Sequence, residues 1–351
     1  MKPTAYKILV TGGAGFIGSN FIRYLLQHHP DWQIVNLDKL TYAGNLENLA
    51  DLNDDPRYTF VHGDIADRNL VKSLFEEQKF DMVAHLAAES HVDRSILDAS
   101  PFIETNIKGT QVLLEAAKEY GLKKFLQVST DEVYGSLKPD EPPFTEGSAL
   151  QPNSPYSASK AAADLLARAY FVTFGVPVVI TRSSNNYGPF QFPEKLIPLM
   201  IKNALEGKSL PVYGKGENIR DWIFVEDNCC ALDLVLQKGR AGEIYNIGGG
   251  WEKKNIEVVE LICDILSEEL GESVEEFKKL ITFVKDRPGH DLRYALDSSK
   301  IKEELGWQPK ETFSSGLRKT IKWYLNNTEW VNAIKTGEYT KWIEKNYDNR
   351  L

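Results

Sequence analysis

Cysteine is scarce: Cys229, Cys230 and Cys263 are the only three in 351 residues. An odd number without framework spacing excludes a disulfide-stapled scaffold and points to a reducing compartment. Six histidines are scattered without ligand spacing, so no metal centre is expected. Long apolar runs are missing too. Nothing approaches the roughly 20 residues that a membrane span needs, and no basic-then-apolar leader precedes the first strand-like run, Lys7–Thr11. Nor is positive charge in excess: 41 Lys and Arg face 50 Asp and Glu, for a net charge of −9. With no basic stripe carrying aromatics, nucleic acid is not expected as a partner. The sequence has no internal repeat and no low-complexity stretch. These absences point to a cytoplasmic globular chain, and 42% hydrophobic residues are enough for a substantial core. The length predicts two domains, or one α/β domain carrying a lobe.

What is present is an alternation of strands and helices. Lys7–Thr11 is apolar and β-rich, and apolar residues recur at helical spacing over 16–27. Between them Gly12, Gly15 and Gly18 form a Gly-x-x-Gly-x-x-Gly turn. Such a turn brings backbone up to a pyrophosphate, at a helix N-terminus with free N–H groups and a positive dipole end. Three glycines alone describe a tight turn equally well. Their context adds weight, because 33–37 reads as a second strand closed by Asp38, about 20 residues past the last glycine. A carboxylate there accepts hydrogen bonds from a ribose diol and repels a 2′-phosphate, which favours NAD over NADP. The plainer alternative for Asp38 is a loop carboxylate capping the next turn.

Tyr58–His62 reads as a third strand, followed by Asp64 and Ile65 where an adenine ring can rest. Residues 82–86 read as a fourth, followed by Ala87 and Ala88, small enough to admit a cofactor close to backbone. His85 is read as a packed strand histidine and His91 as a polar helix cap. A long helix is expected over 101–120, with Thr105 and Asn106 in its first turns. The fifth strand, 125–128, runs into Ser129-Thr130-Asp131-Glu132-Val133-Tyr134-Gly135. The proline-rich stretch 137–151 reads as a loop covering the site. Ser154 as N-cap and Pro155 at the first helical position then start a helix carrying Tyr156 and Lys160 on one face. Residues 177–181 form a sixth strand ahead of Asn185 and Asn186. This rhythm predicts an α/β fold, a doubly wound parallel sheet of Rossmann type, with every motif at the carboxyl end of a strand.

The motifs carry two kinds of chemistry. Tyrosine, with a reference pKa near 10, is a poor base at neutral pH. Lys160 one helical turn away, with the charge of an oxidised nicotinamide, favours phenolate; a lowering of ~3 units needs roughly 4 kcal/mol. Tyr156 can then take a proton from a substrate hydroxyl, with Thr130 hydrogen-bonded to it. Asp131 and Glu132 exceed what a simple dehydrogenase needs. Once a carbinol becomes a ketone, a carboxylate can remove the acidic hydrogen next to it, and a carboxylic acid can help expel a hydroxyl one carbon on. The plainer alternatives are a common helix spacing for Tyr156 and Lys160, and a cap or solvated pair for Asp131 and Glu132. Adjacent strand residues point to opposite faces, so both carboxylates reach one substrate only if the chain bends right after Thr130.

Beyond residue 189 the rhythm breaks. Helices are expected over 193–206, 226–236 and 255–266, strands at Leu210–Tyr213 and 243–247, and a helical end over 311–347 whose Trp323, Trp330 and Trp342 serve packing. Arg220, Arg287 and Arg293 are candidates to clamp a diphosphate through bidentate guanidinium contacts.

Thr11-Gly-Gly-Ala-Gly-Phe-Ile-Gly18 with Tyr156-x-x-x-Lys160 resembles the extended short-chain dehydrogenase/reductases that act on nucleotide sugars. Ser129–Gly135, with Ala87-Ala-Glu-Ser-His-Val-Asp-Arg-Ser95 and Arg287-Pro-Gly-His-Asp291, resembles the 4,6-dehydratases among them over nearly the whole chain. The resemblance implies an NAD-dependent lyase acting on dTDP-glucose and yielding the 4-keto-6-deoxy sugar and water. In it Thr130, Asp131, Glu132, Tyr156 and Lys160 are catalytic. Tyr156 and Thr130 serve C4 oxidation, Glu132 takes the C5 proton, and Asp131 protonates the departing C6 hydroxyl. By the same resemblance Gly12, Gly15, Phe16, Ile17, Asp38, Asp64 and Ile65 hold NAD, with Leu86, Ala87, Ala88, Thr105, Tyr156, Lys160 and Asn186. The sugar nucleotide is lined by Ser90, Thr130, Asn185, Lys195 and Leu196, and by Pro211, Tyr213, Arg220, Asn255 and His290. Residues 1–189 then form the NAD-binding domain, with returns near 221–250, and 190–351 mainly the sugar-nucleotide lobe. A homodimer is implied through helices at about 101–120 and 157–174. The acidic stretch 271–280 departs from the pattern and reads as an extended lobe helix. Alternatives are a nucleotide-sugar 4-epimerase, a 4,6-dehydratase for another nucleotide sugar, or a non-catalytic NAD-binding protein.

Overall fold

A computed structural model describes residues 5–286 and 289–333. The strands are β1 (Lys7–Thr11), β2 (Gln33–Asp38), β3 (Tyr58–His62), β4 (Met82–His85), β5 (Lys124–Thr130), β6 (Val178–Ser183), β7 (Asn185–Tyr187), β8 (Leu210–Tyr213), β9 (Ile219–Phe224), β10 (Ile244–Ile247), β11 (Glu252–Lys254) and β12 (Ile281–Val284). The helices are α1 (Phe16–His28), α2 (Arg68–Gln78), α3 (Val92–Leu97), α4 (Ser100–Phe102), α5 (Thr110–Tyr120), α6 (Pro155–Phe174), α7 (Leu196–Leu205), α8 (Val225–Lys238), α9 (Asn255–Leu270), α10 (Val274–Lys278), α11 (Ser299–Leu305), α12 (Phe313–Asn326) and α13 (Thr328–Ala333).

Seven strands form one parallel sheet in the order β10-β6-β5-β4-β1-β2-β3. The strands read as near-continuous apolar runs because both faces are covered. Ile8 and Val10 of β1 join a core under α1 and α8, while Leu9 between them joins the core under α2, α5 and α6. Each such side chain contributes roughly 1.5–3 kcal/mol by leaving water. The chain runs outward from β1 through β2 to β3, then returns to β4 on the other side. This reversal opens a crevice at the carboxyl ends of β1 and β4, where ligands of such sheets bind. β7, β9 and β11 form a second sheet, β8 pairs with β12, and α7, α9 and α12 enclose a separate core with them.

Several expectations need correction. The helix expected over 101–120 is interrupted: α4 leads into a π-helical stretch, Ile103–Gly109, before α5 resumes the α-helical spacing. The stretch 271–280 is not an extended helix. α9 itself runs on to Leu270, Gly271 closes it in a left-handed conformation (φ 69°), and only the short α10 follows. α7 starts at Leu196 rather than 193, because a turn from Phe192 to Lys195 comes first. The helical end breaks at Asn327 between α12 and α13, and what was expected beyond 333, Trp342 included, lies outside the described residues. Trp323 and Trp330 pack against the Phe190 ring, as expected of packing residues.

The loop 137–151 is no cover. It docks through bridges of Leu137 to Arg293 and Phe144 to Leu296, and none of its residues lines the cleft described below. Phe144 and Leu150 find their apolar partners in Tyr134, Ala161 and Leu296, which draws the loop away from the opening.

Candidate active site

A cleft of about 320 Å³ opens along the carboxyl ends of the central strands. Gly12, Gly15, Phe16, Ile17, Asp38, Asp64 and Ile65 line it, together with Leu86, Ala87, Ala88, Thr105 and Asn186. Gly12 has φ 72°, and a Cβ there would stand 2.6 Å from the Ala87 backbone, so only glycine fits. Gly15 is the N-cap of α1; no side chain caps this helix start and no acidic residue sits in its first turn. Asp38 accepts hydrogen bonds from the Ala14 and Leu40 amides at 2.9 and 2.8 Å, while burial pushes its carboxyl up. Asp64 pairs with Lys39 at 2.6 Å. Thr105 lies in the π-helical stretch, a device that often marks functional sites. His85 is a packed strand histidine, held between the Thr11 and Thr110 hydroxyls at 2.8 and 2.9 Å. His91 occupies the N-cap position of α3 without capping it; its ring lies 3.8 Å from the Glu194 carboxylate instead.

The bend that the two carboxylates require is present. β5 ends at Thr130, and Asp131–Tyr134 turns at once into a 3₁₀-helix capped by the Thr130 side chain, which accepts from the Glu132 amide at 3.3 Å. Thr130 also donates to Asp131 Oδ1 at 3.2 Å. The turn breaks the two-residue alternation of the strand, so Thr130, Asp131 and Glu132 all line the cleft. Burial, with Glu132 and Asp221 nearby, pushes the Asp131 carboxyl well above the carboxylate range. Both causes favour its protonated form.

Tyr156 and Lys160 enter the same cleft from α6. The start of this helix follows the expected pattern, with Pro155 in its first turn and a reciprocal capping box between Ser154 and Ser157. The expected lowering of the phenol rests on Lys160 together with an oxidised nicotinamide, and the chain's own groups act in the other direction. Burial, then the Glu132 and Asp131 carboxylates, push Tyr156 up. Lys160 donates to the Val128 carbonyl at 2.7 Å, and burial pushes it down to about 8. Within this chain, desolvation is the largest cause, with the neighbouring Glu132 carboxylate next.

Of the expected sugar-nucleotide residues, Ser90, Thr130, Asn185 and Lys195 line the cleft. Leu196, Pro211, Tyr213, Arg220, Asn255 and His290 lie outside its lining. Tyr213 donates to Asp93 at 3.2 Å, and its ring meets that of His290 at 5.9 Å. Arg220 stacks over Tyr294 at 4.4 Å and donates to the Asp291 carbonyl at 2.9 Å. Arg293 is not available to a three-arginine clamp. Arg293 is bound to Glu252 at 2.6 Å and to the Glu141 carbonyl at 2.6 Å, fastening the 137–151 loop, and Arg287 lies outside the described residues. Glu194 and Tyr42 are among the cleft residues that were not anticipated. Glu194, its side chain fully buried, stands 3.6 Å from Arg94, and burial pushes it up to about 7. Tyr42 holds the Arg94 guanidinium over its ring at 3.8 Å. No spacing in the sequence marks either, because both reach the cleft from irregular turns.

Residues 9–320 match the GDP-mannose 4,6 dehydratase family. The chain is 56% identical to dTDP-glucose 4,6-dehydratase of Shigella flexneri over 361 aligned residues, covering 98% of this chain and 99% of the relative. Its fold is similar to the crystal structure of dTDP-glucose 4,6-dehydratase from Streptomyces venezuelae with NAD and TYD bound (TM-score 0.88, 52% identity, 94% of this chain and 100% of that one). It is also similar to the crystal structure of dTDP-glucose 4,6-dehydratase from Bacillus anthracis in complex with NAD (TM-score 0.86, 51% identity, 94% and 100%).

Proposed function

The chain belongs to the dTDP-glucose 4,6-dehydratases within the GDP-mannose 4,6 dehydratase family, and from that premise we propose that it converts dTDP-glucose to dTDP-4-keto-6-deoxyglucose and water with NAD as its cofactor. One observation carries the reading: the turn after Thr130 brings an acid, Asp131, and a second carboxylate, Glu132, into the cleft that holds Tyr156 and Lys160. A 4-epimerase has no use for that pair.

The residues present fit a dinucleotide. The close approach of Gly12 to Ala87 brings the turn up against the cleft, and the α1 start, uncapped by any side chain, offers its first-turn N–H groups to a diphosphate. Asn185 and Asn186 each bury an amide oxygen with no hydrogen-bond partner among the described residues. Asp38 at the end of β2 would hold a ribose, Asp64 and Ile65 the adenine side, and Lys160 and Thr105 the nicotinamide half. NAD, when bound, supplies hydride transfer, accepting at the sugar C4 and returning to C6.

The chain's own groups move the protons. Thr130 Oγ1 orients the sugar 4-hydroxyl, and Tyr156 Oη accepts its proton; the high proton affinity of this phenol requires added positive charge before it can act as a base. The Glu132 carboxylate takes the C5 proton, made acidic by the new C4 carbonyl. Asp131, whose protonated form burial favours, donates to the C6 hydroxyl as it leaves as water. Glu132 then returns a proton to C5. Ser90, Asn185 and Lys195 would contact the sugar, with Leu196, Pro211, Tyr213, Arg220, Asn255 and His290 lining the nucleotide side.

A second copy of the chain fits the exposed face of α6, where Leu165 and Val172, seven residues apart, are 58% and 63% exposed beside Phe174. We read the protein as a homodimer through this helix and the one it packs against, residues 100–120. Among the described residues no helix is long and apolar enough to cross a membrane. The three cysteines are all free, in keeping with a cytoplasmic setting.

The test is incubation with dTDP-glucose and with UDP-, GDP- and CDP-hexoses in deuterated water, followed by alkali. A 4-keto-6-deoxy chromophore with deuterium at C5, from dTDP-glucose above the others, is expected. Formation of a galactose epimer without that chromophore would sink the reading.

A further inference from the structure

Asp164 and Arg182 are buried charges that the steps above leave unused. Their side chains are 1% and 3% exposed, and Arg182 Nε donates to Asp164 Oδ2 at 2.9 Å. Neither lines the cleft. Stability alone does not explain such a pair, since a buried ion pair is commonly no better than well-packed apolar residues.

Its position is informative. Tyr156, Lys160 and Asp164 recur every four residues of α6 and so share one face. Arg182 reaches that face from β6, in register with Ser129 of β5. The Arg182 guanidinium also lies 4.8 Å from the centre of the Tyr134 ring. Tyr134 closes the turn that carries Asp131 and Glu132, and its hydroxyl donates to Asn246 at 2.8 Å. One arginine thus touches the helix of the oxidation pair and the turn of the elimination pair.

We infer that Asp164 and Arg182 are positioning residues: Asp164 keeps the Lys160 ammonium charged, and Arg182 locks that helix face to the Tyr134 turn, so both proton-transfer pairs meet one sugar. The inference rests on the function proposed above. Of the groups around Lys160, Asp164 favours its ammonium form against burial. His85 faces Lys160 from β4, Arg182 from β6 faces Asp164, and Asp131 and Glu132 of the turn face Tyr156 on the same helix. His85 is pushed down to about 3, while burial pushes the Asp164 carboxyl up and the Arg182 and Lys160 charges draw it back down.

The test compares the full chain with Asp164→Asn, Asp164→Glu and the double variant Asp164→Asn/Arg182→Gln. The double variant removes both charges, leaves none buried alone, and decides the matter if Asp164→Asn does not fold. Lys160 is titrated by NMR of ¹³Cε-labelled lysine, its signal assigned by its loss in Lys160→Met. The pH profile of kcat and the KM for dTDP-glucose are measured alongside. In the Asn and double variants the Lys160 midpoint and the alkaline limb of kcat should fall together by about 1–2 pH units. KM should hold within about twofold, and Asp164→Glu should recover the wild-type profile. A Lys160 midpoint unmoved in both Asn-bearing variants overturns the inference. So does lower activity with an unshifted profile that Asp164→Glu fails to rescue. A wild-type protein that makes no 4-keto-6-deoxy product removes the functional reading, and the lysine titration still judges Asp164.

Discussion

Replacing Asp131 with asparagine keeps the shape of a neutral carboxylic acid and removes its proton. The side chain is 2% exposed; Oδ1 accepts from the Thr130 hydroxyl at 3.2 Å, and Oδ2 is buried without a hydrogen-bond partner among the described residues. An amide keeps the first contact through its oxygen. Two magnitudes then separate. A general acid contributes about 10²–10⁴-fold, or roughly 3–5 kcal/mol on the barrier at ~1.4 kcal/mol per tenfold. Stability should move the other way. Burial, Glu132 and Asp221 raise the folded carboxyl above its unfolded value of about 3.9. The folded chain therefore holds a proton that the unfolded chain has lost, and stability falls as pH rises through that window. Asparagine is free of this penalty, so at pH 7 the variant should be at least as stable as the wild type. Product is followed as the alkali-induced 4-keto chromophore, and stability by thermal unfolding at pH 7. Product formation within tenfold of wild type would refute the role of Asp131. A melting temperature lower by more than about 4 °C, on the order of 3 kcal/mol for a chain of this length, would refute the claim that burial favours its neutral form.

Glu132→Gln should abolish solvent deuterium entry at C5, by about 10²–10⁴-fold, while absorbance of reduced cofactor at C4 oxidation persists; unchanged exchange would remove Glu132 from the reaction. Turnover should fall above pH ~8 as Lys160, lowered to about 8 by burial, loses its proton. Against its unfolded value of ~10.4, the sign for stability is opposite: the unfolded chain binds more protons between the two values. Stability relative to Lys160→Met should thus rise over that window by on the order of 3 kcal/mol, read by denaturant unfolding at stepped pH. Gly12→Ala, at φ 72° and 2.6 Å from backbone, should cost about 1–3 kcal/mol or more and weaken NAD binding, measured by calorimetry. Val172→Asp on the exposed face of α6 should shift sedimentation toward the monomer with little change in monomer unfolding.

The sheet was legible because its cause is local. Parallel strands covered on both faces must be apolar throughout, and the glycine turn, Asp38 and the Ser154-Pro155 start each act within a few residues of themselves. The same holds for the grouping of Tyr156 and Lys160, which one turn of helix brings to one face. Expectations failed where distant contacts decided. Loop 137–151 looked like a cover by length and proline content, yet Phe144 and Leu150 found a home against Leu296. Arg293 looked like a phosphate ligand and is taken by Glu252. Glu194 reaches the cleft through a turn that periodicity does not describe.

The catalytic stretch shows the division most clearly. The residue types of Thr130, Asp131 and Glu132, and their position at the end of a buried strand, follow from the sequence alone, and with them the two kinds of proton transfer. Whether both carboxylates could face one sugar depended on the backbone leaving the strand at once, and the Thr130 cap and 3₁₀ turn decide that. The protonation states belong to the tertiary structure as well. The protonated forms of Asp131 and Tyr156 are favoured by what surrounds them in space, since desolvation and neighbouring charge act over distances that sequence separation does not encode.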